Sequence, residues 1–129
     1  MIKHLPSFGA LSEAEARVFE NSAESREFAA GSEVVAADSL VAVRDGALRL
    51  EVESGGSLQT LGTLERGGLL GEMNLFEPDP VPVRAHAERD TMCFLWKLQD
   101  LKGAFRYSRA GAAKLMANFS TYESNDKEE

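Results

Sequence analysis

The chain has 129 residues, 14 Lys+Arg against 21 Asp+Glu, a formal net charge of −7, one Cys and two His. That length suits a single domain that buries most of its apolar surface without disulfides or metal, and the acidic balance excludes the basic footprint that binding to nucleic-acid phosphates requires. The lone Cys93 excludes an internal disulfide framework, and the longest apolar run, Met92 to Trp96, is far short of the roughly 20 residues of a membrane span.

No charged-then-apolar leader opens the chain, so the expected location is the cytoplasm. The first element is a short helix. Ser12 and Glu15 have the spacing of a capping box, and Leu11, Ala14, Val18 and Phe19 recur at helical intervals until Asn21-Ser22 ends the run. Leu5, Pro6 and Phe8 form a lead-in expected to tuck against the body.

From Phe28 to Leu98 the pattern changes to short strands punctuated by turns. Gly31-Ser32 precedes Val34-Val35, and Leu40, Val41 and Val43 lead into Arg44-Asp45-Gly46. Asp-Gly between apolar runs predicts a two-residue hairpin. Leu48, Leu50 and Val52 alternate with Arg49, Glu51 and Glu53, which gives a strand with one wet face. Ser54-Gly55-Gly56-Ser57 turns the chain again, and Leu58, Leu61 and Leu64 follow without clean alternation. Glu65-Arg66-Gly67-Gly68 is a further turn before Leu69-Leu70-Gly71-Glu72. After a proline-rich loop come Val83 to Ala87 and Thr91 to Leu98, the latter apolar on both faces and so expected near the core centre.

Helix returns at the C-terminus. Asp100 is placed to cap a segment through Phe105, and Ser108 a second one carrying the stripe Ala112, Leu115, Met116, Phe119 and Tyr122. The expected division is one domain over residues 1–122 and a solvated, frayed acidic tail over 123–129. The fold class is mainly β with flanking helices: a jelly-roll-like β-barrel of about eight strands between an N-terminal helix and C-terminal helices.

The octet Leu69-Leu-Gly-Glu-Met-Asn-Leu-Phe76 resembles the phosphate-binding cassette of the cyclic nucleotide-binding domain family, of the kind found in catabolite activator protein-like regulators. The segments beginning at Leu5, Phe28, Asp38, Ala87 and Asp100 resemble other parts of the same family in order, so the resemblance covers roughly residues 5–120. It implies that Gly71, Glu72, Met73 and Asn74 form the ligand-facing turn. There a short helix points free N–H groups at the cyclic phosphate, and Glu72 accepts from the ribose 2′-OH.

The family's next requirement is an Arg that neutralises the phosphate, with a Ser or Thr beside it. Counting forward from Gly71-Glu72 places Pro82 at the Arg position, and counting back from Ala87 places Val81 there. The cation is missing in either register, and Pro82 or Val83 stands at the Ser/Thr position. Glu77 and Asp79 add repulsive charge, while Pro78, Pro80 and Pro82 remove backbone donors. Arg84 shares a strand face with residue 82 and could reach back in the first register; in the second it points away. Between Ala36 and Asp38 the chain also omits a loop that the family usually carries.

The resemblance implies a non-catalytic regulatory domain in which a ligand shifts the C-terminal helices. The missing cation predicts that cyclic AMP and cyclic GMP bind weakly or not at all, and no other cofactor is expected. The alternative is a protein-interaction or dimerisation module that keeps the fold without a small ligand. It would act as a homodimer through the C-terminal helix or on an unidentified protein partner. No helix-turn-helix follows within these residues, so direct DNA binding is not expected. His4 and His86 are too few for a cupin-like metal centre, Cys93 reads as a buried thiol, and no G-x-S-x-G elbow supports a nucleophile.

Overall fold

Ser12 starts the first helix as its spacing predicts. In the computed structural model, which describes residues 2–34, 38–71 and 83–117, its Oγ accepts from Glu15 N at 3.1 Å while Glu15 Oε1 accepts from Ser12 N at 2.8 Å. Each contact satisfies an N–H that the helix itself leaves open. Helix α1 spans Glu13–Ser22 and buries Ala16 and Phe19. The expected stripe is therefore displaced: Leu11 and Phe19 are buried, but Ala14 is exposed and Val18 half-buried. Ahead of α1, two 3-10 turns, Ile2–His4 and Pro6–Phe8, bury Ile2, Leu5 and Phe8. Glu20 Oε1 holds the first turn by accepting from Ile2 N at 2.8 Å.

The chain divides into two compact units, a helical one formed by Met1–Ala23 with Gln99–Glu129 and a strand unit formed by Glu24–Leu98. Helix α2, Leu98–Tyr107, buries Leu101 and Ala104. It begins two residues before the expected Asp100 cap, so Asp100 sits within its first turn. Ser108 does cap the next helical stretch, α3 over 109–117: Gly111 N donates to Ser108 Oγ at 3.3 Å and Ala112 N to its carbonyl at 2.9 Å. Within the helical unit Phe19 meets Phe105 edge to face at 5.9 Å, and Lys114 Nζ donates to Glu15 Oε1 at 2.7 Å. Leu115 is fully buried; Ala112 and Met116 are half-buried, and Phe119 and Tyr122 lie outside the described residues, as does the acidic stretch 123–129.

Among the described residues the strand unit contains eight strands: β1 (Glu24–Phe28), β2 (Glu33–Val34), β3 (Ser39–Asp45), β4 (Leu48–Ser54), β5 (Ser57–Leu64), β6 (Leu69–Leu70), β7 (Arg84–Ala87) and β8 (Thr91–Lys97). They form two antiparallel sheets, ordered β1-β8-β3-β6 and β2-β7-β4-β5. One core joins them: Val41, Val43, Leu70, Cys93 and Leu95 from the first sheet pack with Val34, Leu48, Leu64, Ala85 and Ala87 from the second. This is the jelly-roll architecture expected, except that among the described residues the two sheets are not closed into a barrel.

Asp45-Gly46 corrects the predicted hairpin. β3 and β4 belong to different sheets and do not pair, so the chain crosses between layers at Gly46. Only Gly46 has positive φ, +114°, and a Cβ there would come within 2.7 Å of the Thr91 backbone. Close approach, not hairpin twist, therefore selects glycine at this corner. The two-residue hairpin lies at Gly55-Gly56, with φ of +60° and +84° and Ser54 paired with Ser57.

The broken alternation of β5 also has a local cause. Leu50 pairs with Gly62 and Glu51 with Thr60, so Leu61 is an extra, bulged residue. β1 leaves no strand signal in the sequence because Glu24, Ser25, Arg26 and Glu27 are exposed and carry no apolar period. It exists by pairing along β8 from Glu24↔Leu95 to Phe28↔Thr91. β8 is central as expected, between β1 and β3. No helix among the described residues is long and apolar enough to cross a membrane.

Candidate functional site

The cassette hangs from a short antiparallel pair. Leu69 and Leu70 are paired with Ala42 and Val41 of β3, and both are buried, so their apolar side chains anchor the strand that delivers Gly71. Gly71 follows with φ of +92°, a turn conformation that diverts the chain as β6 ends. Glu72, Met73 and Asn74 lie outside the described residues, as do Val81 and Pro82. The chain re-enters at Val83, which packs against the core, and continues as β7.

Strand alternation then settles the placement of Arg84. Ala85 and Ala87 are buried in the core between the sheets, so Arg84 and His86 belong to the outer face. Arg84 is exposed and stands opposite Glu51 of β4 in the register. His86 stands between Glu33 of β2 and Arg49 of β4, and its Nδ1 lies 3.0 Å from Glu51 Oε1. That distance suits an ion pair with a protonated ring, but Nδ1 has no aligned hydrogen-bond partner. The outer face of this sheet thus carries alternating charge, and Arg49, His86 and Glu88 line a depression of about 420 Å³ with Gly31 and Ala87.

The remaining sequence candidates fall apart spatially. Cys93 is fully buried in the core, and burial pushes its thiol up to about 12. A thiol so placed is neutral and shielded, the opposite of an activated nucleophile. Among the described residues no group of three or more His, Cys, Asp and Glu side chains is placed to hold a metal ion. A second concavity, which sequence reasoning misses, lies in the helical unit: a groove of about 760 Å³ between α1 and α2. The available signal is Ala14 and Val18, which have the helical period of core residues but line this groove.

The family model of the cyclic nucleotide-binding domain matches residues 25–108 of this chain. The chain belongs to that family. No curated protein matches it. Among solved structures it is similar to a cyclic nucleotide-binding domain from Methylobacillus flagellatus, with TM-score 0.84 and 14% identity over 98% of this chain and 74% of that one. It is also similar to the Thermus thermophilus catabolite activator protein, with TM-score 0.79 and 24% identity over 95% of this chain and 60% of that one. The N-terminal domain of a transcriptional regulator from Streptomyces coelicolor A3(2) gives TM-score 0.78 and 21% identity, covering 95% of this chain and 91% of that one. At these identities the likenesses establish a shared fold.

Proposed function

We propose that this chain is a non-catalytic regulatory domain, functioning as one domain over residues 1–122, whose cassette has lost the counter-charge for a cyclic phosphate. The observation that carries the reading is Val81 or Pro82 at the position where the family places its Arg. A charge-assisted hydrogen bond of that kind is worth about 1.5–3 kcal/mol, hence roughly 10- to 150-fold in affinity. Glu77 and Asp79 add repulsion in the same loop. Arg84 supports the reading as well, since it stands on the outer face across from Glu51 and away from the core between the sheets.

Gly71, Glu72, Met73 and Asn74 then keep the half of the site that meets ribose and backbone, without the half that neutralises phosphate. Cyclic AMP and cyclic GMP bind weakly or not at all. Restoring the cation tests this: Val81→Arg and Pro82→Arg cover both registers, and one of them is expected to raise cyclic AMP affinity at least tenfold in calorimetry. A wild-type chain that already binds at micromolar concentration, with affinity that falls in Arg84→Ala, overturns the reading.

A homodimer through the C-terminal helix would draw on Met116 and Phe119, because Leu115 is already fully buried within its own chain. Light scattering of the wild type against Met116→Glu decides it: loss of a dimer in the variant supports the interface, and a wild-type monomer removes it.

A further inference from the structure

We propose that Glu15 is a joint that couples the docking of α3 on α1 to the capping of α1, so that lifting α3 opens the first turn of α1. One carboxylate oxygen serves both contacts. Glu15 Oε1 accepts from Ser12 N at 2.8 Å, which closes the capping box, and from Lys114 Nζ at 2.7 Å. Lys114 first and the Ser12 amide second hold this carboxyl below its ordinary range. A glutamate in a capping box is otherwise free to swing into water; here the ammonium from α3 pins it in the rotamer that the cap needs. The contact lies wholly within the helical unit and does not depend on what the cassette binds.

Backbone packing seats the same joint. Gly111, Lys114 and Leu115 fall at i, i+3 and i+4 on α3, and Glu15 and Phe19 at i and i+4 on α1, so each set shares one helix face. A Cβ on Gly111 would stand 2.9 Å from Phe19 Cε2, 2.9 Å from Ser108 Oγ and 3.4 Å from Glu15 Cβ. Only a glycine lets α3 come this close, and Phe19 and Leu115 are both fully buried. Phe19 is itself braced edge to face by Phe105, which limits how far the ring can yield. Ser108, which caps α3 by accepting from Gly111 N, borders the same notch. The starts of both helices therefore meet at one contact. Whatever lifts α3 removes the pin from Glu15, and tension on the segment ahead of α1 loosens α3; linkage makes the two effects equal in free energy.

The test is amide hydrogen exchange on the full chain, read residue by residue by NMR. Lys114→Met keeps the apolar stem and drops the charge; it is expected to speed exchange of the Ser12 amide about threefold. Ser12→Ala is expected to speed exchange at Met116 and Ala117 by about the same factor, and the double variant to do less than the product of the two. Gly111→Ala separates the notch from helix propensity. Alanine is the better helix former, yet exchange across α3 is expected to rise, because the added methyl drives α3 off Phe19. Lys97→Met, on β8 of the strand unit, is expected to leave both ends unchanged. A Ser12 amide unmoved by Lys114→Met, an α3 unmoved by Ser12→Ala, fully multiplicative effects in the double variant, or slower α3 exchange in Gly111→Ala would each overturn the proposal. Tight cyclic AMP binding by the wild type, which would overturn the proposed function, leaves these outcomes as they stand.

Discussion

Thr91→Val probes the corner where the chain passes from one sheet to the other. Thr91 is 1% exposed, and its Oγ1 accepts from Ala47 N at 3.1 Å while lying 2.8 Å from Arg89 O and 3.2 Å from Ala47 O. One hydroxyl proton serves one carbonyl, and the shorter distance assigns it to Arg89 O. Valine keeps the shape and the β-branch, so packing and strand propensity are conserved. What it loses is the partner of a buried N–H, costing about 1–3 kcal/mol, and one further hydrogen bond worth about 1 kcal/mol. The combined loss is about 2–4 kcal/mol, or roughly 7–15 °C in Tm for a chain of this size. Thr91→Ser retains the hydroxyl and should lose only about 1 kcal/mol with the methyl group. Calorimetric melts of the three proteins decide the matter. A Thr91→Val protein as stable as the wild type, or more stable than Thr91→Ser, would refute the hydrogen-bonded account of this corner.

Gly46→Ala should cost more than about 2 kcal/mol, since it combines a positive φ with collision against the Thr91 backbone. Gly55→Asn, at φ of +60° with nothing within 4 Å, should stay within about 0.5 kcal/mol of the wild type; urea titrations compare the two. Glu20 titrates below the usual carboxylate range because its carboxylate accepts from the Ile2 amide. That contact contributes fully above the ordinary carboxylate value and is lost as pH falls through the lowered folded value. Tm measured from about pH 6 down to pH 3 should therefore fall less steeply in Glu20→Gln than in the wild type. With its thiol pushed up to about 12 by burial, Cys93 should resist a thiol-specific reagent at neutral pH until urea unfolds the chain. Rapid labelling of the native protein would contradict its placement in the core.

Elements with a local chemical signature were legible in the sequence. The Ser12–Glu15 box, the Ser108 cap and the central β8 can each be read from a few neighbouring residues, and each is present. The misreadings share a different cause, which is that pairing between distant strands leaves little local trace. Asp45-Gly46 has hairpin chemistry but serves a crossover, because Gly46 must pass under Thr91, 45 residues further on. β1 is polar throughout its first four residues and is specified by its partner β8. Leu61 breaks the period of β5 because it is bulged. For the candidate site, the sequence left the face of Arg84 open between two registers, and the burial of Ala85 and Ala87 places it outside. The α1–α2 groove escaped notice for the complementary reason: Ala14 and Val18 fit a core stripe, and only the fold shows that their face stays open.

The central claim is electrostatic, and isothermal titration of the whole chain with cyclic AMP and cyclic GMP tests it most directly. The account predicts no saturable heat for either nucleotide at micromolar concentration. Stoichiometric binding at micromolar affinity or tighter would contradict it.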